Sequence, residues 1–105
     1  TLVRDHQSVT AVVTMSDVTA IGLLHGLRRH GLRVPWDISV LGFDDIPEAS
    51  IVSPALSTIW QPAEEKGLRA AELLIRLIAK KTVEDRVQFR CRLVIRESTA
   101  AEPSR

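Results

Sequence analysis

Residues 38–45 constrain the fold more than any other stretch of this chain. Ile38, Val40, Leu41 and Phe43, interrupted only by Ser39 and Gly42, run directly into two adjacent carboxylates, Asp44 and Asp45. A short, nearly continuous apolar run predicts a strand buried on both faces, and such strands belong to parallel sheets. Parallel sheets bind ligands in the crevice beyond the carboxyl ends of their strands. The sequence therefore sets two acids where an α/β protein holds its ligand.

A second apolar and β-branched run, residues 9–15, predicts another interior strand. It ends at Ser16 and Asp17, both good helix N-caps. Val18, Ile21, Leu24 and Leu27 then recur at helical spacing, predicting a helix over about 18–30. Gly31 stands where a left-handed C-terminal cap belongs. Strand, helix and strand together make a βαβ unit of the usual size, whose two strands run parallel through a right-handed crossover. That topology brings Ser16-Asp17 and Asp44-Asp45 to one edge of the sheet.

Residues 46–59 carry no sustained period; Pro47 opens a short helical turn and Pro54 stops it. A connection of this length is usually functional or joins larger units. A short strand is expected within 55–60. Pro62 fits the first position of a helix reaching about residue 80, with Leu68, Ala71, Leu74, Ile75 and Ile78 on one face. Glu65 with Arg69 and Glu72 with Arg76 have the favourable i,i+4 order. Residues 87–95 are β-like, broken near Cys91, and residues 100–105 read as a frayed tail.

Composition narrows the function classes. The 105 residues carry 14 basic and 13 acidic side chains, a formal net charge of +1, so the chain as a whole has no electrostatic drive toward nucleic acid or an anionic membrane. Arg28, Arg29, His30 and Arg33 read as a solvated helix end. The single cysteine, Cys91, rules out an intrachain disulfide and a cysteine-based zinc site, and its place in a β-like run predicts a half-buried, packed thiol. No apolar run is long enough to span a membrane. His6, His25 and His30 have no metal-site spacing. Asp17, Asp44 and Asp45 are the one acidic trio suited to Mg²⁺, as in a phospho-acceptor domain, but no Lys or Thr at a later strand end completes such a site. No nucleophile is paired with a base, so no enzyme activity is read, and no cofactor is implied.

The ordered motifs then point to a family. Met15-Ser16-Asp17, Ile21-Gly22, the run Val34-Pro35-Trp36-Asp37-Ile38-Ser39-Val40, Gly42-Phe43-Asp44-Asp45-Ile46-Pro47, Ser53-Pro54-Ala55-Leu56-Ser57-Thr58-Ile59-Trp60-Gln61-Pro62 and Arg96-Glu97-Ser98-Thr99 follow one another at fixed spacings. Over about residues 8–100 the chain resembles the C-terminal part of a LacI/GalR transcription regulator. The resemblance implies an α/β fold: a parallel-sheet βαβ fragment of a periplasmic-binding-protein-like (type I) two-lobed sensor domain. Residues 8–56 would form part of the C-terminal lobe, 57–81 a crossover and a helix packed on the N-terminal lobe, and 86–99 the return strands. No helix-turn-helix is present in these residues.

By the same resemblance Asp44 is the acid that accepts hydrogen bonds from an effector, and a carboxylate suits a sugar diol. Ser16 stands where the family often has an effector-contacting Asn. Gln61 reaches the cleft between lobes and Trp60 is a stacking candidate. Asp17 and Asp45 read as structural caps. Ile21, Leu24, Ala49 and Ile51 match surfaces that form the homodimer. The implied protein is cytoplasmic and not membrane-bound, senses a small sugar-like effector, and meets DNA only through a separate N-terminal domain. The alternative of the same fold is an extracytoplasmic sugar-binding protein.

Overall fold

The computed structural model describes residues 8–103. Strand β1 (Ala11–Val13) leads into helix α1 (Asp17–Arg29), which returns to strand β2 (Ser39–Leu41); β1 and β2 pair in parallel, with Val12 opposite Val40. The βαβ unit expected from the apolar periodicity is therefore present, with shorter strands. A 3-10 turn (Pro47–Ser50) follows, then β3 (Thr58–Trp60), helix α2 (Ala63–Ile78) and β4 (Arg92–Val94). Parallel bridges from Leu41 to Ser57 and from Asp44 to Trp60 lay β3 alongside the end of β2, and β4 pairs antiparallel with β3.

Local chemistry explains the helix ends. The Ser16 side chain accepts the Thr19 backbone N–H at 3.2 Å, satisfying one of the orphan donors of the first turn of α1. Gly31, at φ 75°, turns the chain away after α1, as its position implied. Pro62 is the residue before α2 rather than its first helical residue. The expected i,i+4 pairs on α2 do not form: Arg69 bridges Glu72 at 2.9 Å and Glu84 at 2.6 Å, and these two carboxylates raise its pKa. The segment after α2 folds back along the helix, and this places Glu84 within reach.

The core gathers where α1 lies on β2. Ala20, Leu24, Leu27, Ile38, Val40, Ala49 and Leu56 are buried there. Leu24, 5% exposed, and Ala49, fully covered, thus pack in the interior of this chain. Of the four residues assigned to a dimer face, Ile21 is half-buried and Ile51 is 78% exposed. The periodicity that marked Leu24 was that of the core stripe of α1.

Several expectations of burial fail for one physical reason, the lack of a covering layer. β1 is an edge strand and Val13 lies open, so the strand is not interior. No residue of α2 is buried, although its apolar stripe is as regular as the sequence predicted. The radius of gyration is 18.1 Å, against about 13 Å for a compact chain of this length. Cys91 lies just before β4 and is exposed, which overturns the half-buried reading. The tail is less frayed than expected at its start, because Ser39 Oγ accepts the Ala100 N–H at 3.1 Å. Ser104 and Arg105, like His6, lie outside the described residues. No helix among the described residues is long and apolar enough to cross a membrane.

One buried hydroxyl ties the sheet together. Ser98 Oγ accepts the Ser57 N–H at 2.8 Å and donates to the Val40 carbonyl at 2.6 Å, while the Ser98 carbonyl accepts the Val40 N–H. Replacing it strands two buried backbone groups. Ser98→Ala is expected to lower stability by about 1–3 kcal/mol, read as a fall in the urea midpoint with an unchanged slope.

Candidate functional site

The site is built where β2 and β3 end together. After Leu41, the Gly42 N–H donates to the Ser57 carbonyl and the Asp44 N–H to the Ile59 carbonyl, each at 2.9 Å, so Asp44 sits level with Trp60 on the neighbouring strand. Asp44 has φ 120° and Asp45 φ 62°. Asp tolerates the left-handed region better than most residues, but φ 120° lies outside it and stores backbone strain. Strain of this kind persists only where surrounding hydrogen bonds fix the chain, and here the β3 pairing does so.

Asp44 and Gln61, both singled out from the sequence, meet directly: Gln61 Nε2 donates to Asp44 Oδ1. The Gln61 Oε1 in turn accepts from Lys66 Nζ at 2.7 Å. Lys66 escaped the sequence reading, which did not single it out. Its spacing of five residues from Gln61, one helical turn inside α2, is the signal that was there to find.

Trp60 is half-buried, and the Arg92 guanidinium lies 4.8 Å from its ring centroid. One face of the indole is thus covered by a cation. Ser16 lies at the same edge of the sheet: the neighbouring Asp17 N–H donates to the Phe43 carbonyl at 2.8 Å. Its hydroxyl is engaged locally, accepting from Thr19 N and donating to Thr19 Oγ1 at 3.0 Å. The Ser16 side chain makes no hydrogen bond to Asp44 or Gln61.

The other two acids have separate tasks. Asp17 is fully buried; its Oδ1 accepts the Thr58 hydroxyl and its Oδ2 accepts the Ile46 N–H at 2.9 Å. It also lies in the first turn of α1, where a negative charge suits the helix dipole. Asp45 pairs with Arg96 at 2.8 Å, both about four-fifths covered, and Arg96 also donates to the Leu56 carbonyl. Both acids are structural, as expected, but neither acts as the N-cap of α1, which is Ser16. The acidic trio is thus spread over separate partners, Thr58 and Ile46 for Asp17, Arg96 for Asp45 and Gln61 for Asp44, and no metal-holding group of three such side chains occurs among the described residues. The basic cluster at the end of α1 is likewise engaged locally: Arg28 donates to the Ser53 carbonyl, and Arg33 pairs with Asp37, which raises the Arg33 pKa.

The comparisons with known proteins agree with this geometry. Residues 2–99 match the family model described as a periplasmic binding protein-like domain. The ribose operon repressor of Bacillus subtilis is 36% identical over 102 residues, which is 96% of this chain and 31% of that protein. The transcription regulator CcpA of Lactococcus lactis superposes with a TM-score of 0.84 at 28% identity, over 94% of this chain and 36% of that one. A LacI family regulator from Arthrobacter sp. FB24, solved in complex with lactose, superposes at 0.78 with 36% identity, over 94% and 38%. The chain spans about a third of the length of the curated relatives it matches. With the motif order of residues 8–100 and the parallel βαβ unit, these findings establish that the chain belongs to the periplasmic binding protein-like domain family, in the version carried by LacI/GalR-type transcription regulators.

Proposed function

We propose that this chain is the effector-sensing part of a cytoplasmic transcription regulator, and that it holds a small sugar-like ligand at the edge formed by Asp44 and Gln61. The observation that carries the reading is the hydrogen bond between them. It joins the carboxylate beyond β2 to the first residue after β3, where the chain crosses toward α2. Asp44 keeps free lone pairs for ligand hydroxyls, Gln61 keeps one amide proton, and Trp60 lines an open groove together with Gln61. Ser16 at the same edge is a further candidate contact. The Arthrobacter regulator, solved in complex with lactose, is one precedent of this chemical class.

In this reading residues 8–56 belong to one lobe, and residues 57–81 cross into another lobe that covers the apolar stripe of α2. Ligand binding biases the closure of the lobes, to an extent set by its different affinity for the two states. The surface around Ile21 and Ile51 meets a second copy, and DNA is contacted by a separate domain. No catalysis is proposed, since Asp44 is paired with an amide and no nucleophile stands beside it. The repressor names of the sequence relatives favour this reading over an extracytoplasmic transport protein of the same fold.

Asp44→Asn tests the site, because Asn keeps the shape and the tolerance for positive φ while removing the charge. Titration calorimetry with a panel of mono- and disaccharides is expected to find a ligand whose affinity falls roughly 10- to 100-fold in Asp44→Asn, the loss of charge-assisted hydrogen bonds. The best saccharide binding both forms equally, or no saccharide binding at all, contradicts the proposal.

A further inference from the structure

Gln61 carries donors and an acceptor on one planar amide, and only one way round satisfies its neighbours. Its Nε2 donates to Asp44 Oδ1, and its Oε1 accepts from Lys66 Nζ at 2.7 Å. Turned over, the amide would set its oxygen against the carboxylate and its N–H groups against the ammonium, acceptor facing acceptor and donor facing donor. The backbone beneath is tied as well. The Gln61 carbonyl accepts the Ala63 N–H at 2.8 Å, and the Lys66 N–H donates to the Pro62 carbonyl at 2.9 Å. The residue that offers the ammonium is thereby fixed to the turn that carries the amide. Lys66 does not line the open groove that Trp60 and Gln61 share, so its influence on a ligand there runs through Gln61.

From this we infer that Lys66 is a positioning residue: it holds the Gln61 amide with nitrogen toward Asp44, so that a ligand meets a fixed pair, an acceptor at Asp44 and a donor at Gln61. The inference rests on the carbohydrate reading of this edge. In the free chain both neighbours orient the amide. Once a ligand hydroxyl also donates to Asp44, the carboxylate is shared, and the charge-assisted bond from the ammonium keeps the amide from turning over. A hydroxyl both donates and accepts, so adjacent hydroxyls of a diol match the pair, one giving to Asp44 and the other receiving from Gln61. Arg in place of Lys66 preserves a long cationic donor; Met preserves the reach and removes the donor.

Two measurements test this. In the isotopically labelled, ligand-free chain, Lys66→Met is expected to shift the Gln61 side-chain amide signal and lower its order parameter below about 0.6, the flexible range, while Lys66→Arg keeps the parent's values. Calorimetry uses neutral probes, on which a distant charge has little to act: glucose, galactose, ribose, arabinose and lactose. The tightest of them is expected to bind about five- to tenfold more weakly to Lys66→Met, and within about twofold of the parent to Lys66→Arg, with unchanged urea midpoints. An amide signal indifferent to Lys66→Met, equal affinity of Lys66→Met and the parent, no rescue by Arg, or a lowered urea midpoint in Lys66→Met overturns the inference and leaves the carbohydrate reading intact. If no probe binds the parent, the carbohydrate reading falls and the role of Lys66 in recognition falls with it.

Discussion

Asp17→Ala is expected to destabilise this chain by roughly 3–5 kcal/mol, a large share of what a domain of this size possesses. The carboxylate joins three elements that are distant in sequence. Its own residue begins α1, one oxygen holds the backbone after Asp45, and the other holds Thr58 on β3. Ala leaves the fully buried Thr58 hydroxyl and the Ile46 N–H without their acceptor, and each orphaned group costs about 1–3 kcal/mol. Urea unfolding followed by far-ultraviolet circular dichroism measures the loss. Asn keeps an acceptor for one of the two donors and is expected to fall about halfway. A midpoint for Asp17→Ala within error of the parent would show that the carboxylate does not organise this edge.

Gly42→Ala has the second largest expected effect, about 3 kcal/mol, for a related reason. A Cβ at residue 42 would overlap Asp17 Oδ1 and stand 2.9 Å from Leu56 Cδ2. Asp17 cannot move aside without losing Thr58 and Ile46, and Leu56 is fully buried in the core. The glycine is required here by the close approach of α1's first residue to the strand end. The two substitutions are therefore coupled. Removing the Asp17 carboxylate opens the space the new methyl needs, so the double variant should be less destabilised than the sum, by about 1–2 kcal/mol. Additive losses would mean that the backbone at residue 42, and not the packed carboxylate, sets the cost.

The parallel pairing of β1 with β2 was legible because both segments are short apolar runs separated by a periodic, capped helix. Ser16, Gly31 and Pro47 stand where their chemistry places them, and those residues punctuate the chain. Asp44 and Gln61 were also legible, one from its place beyond an apolar strand and both from the family motifs. Their direct hydrogen bond was not, since it depends on β3 bridging in parallel to the end of β2 across a connection without period. Burial was the least legible property. Leu24 and the stripe on α2 have the same helical spacing, yet Leu24 is 5% exposed and Ile75 66%. Periodicity says that a face is apolar, and only the neighbouring layers decide whether it is covered. Lys66 was missed because a lysine in a helix is ordinarily solvated, and only the fold shows the amide it holds.

The central claim is that a ligand is read where β2 and β3 end, by Asp44 and Gln61. Backbone amide chemical shifts of the isotopically labelled chain, followed during titration with the tightest-binding saccharide, test it most directly. The account predicts that the perturbed resonances centre on Asp44 and Gln61, with Lys66 beside them, and that Asp44→Asn removes the effect at the same ligand concentration. Perturbations centred instead on the groove at the far side of the sheet, lined by Thr10, Ser39 and Ala100, would contradict it.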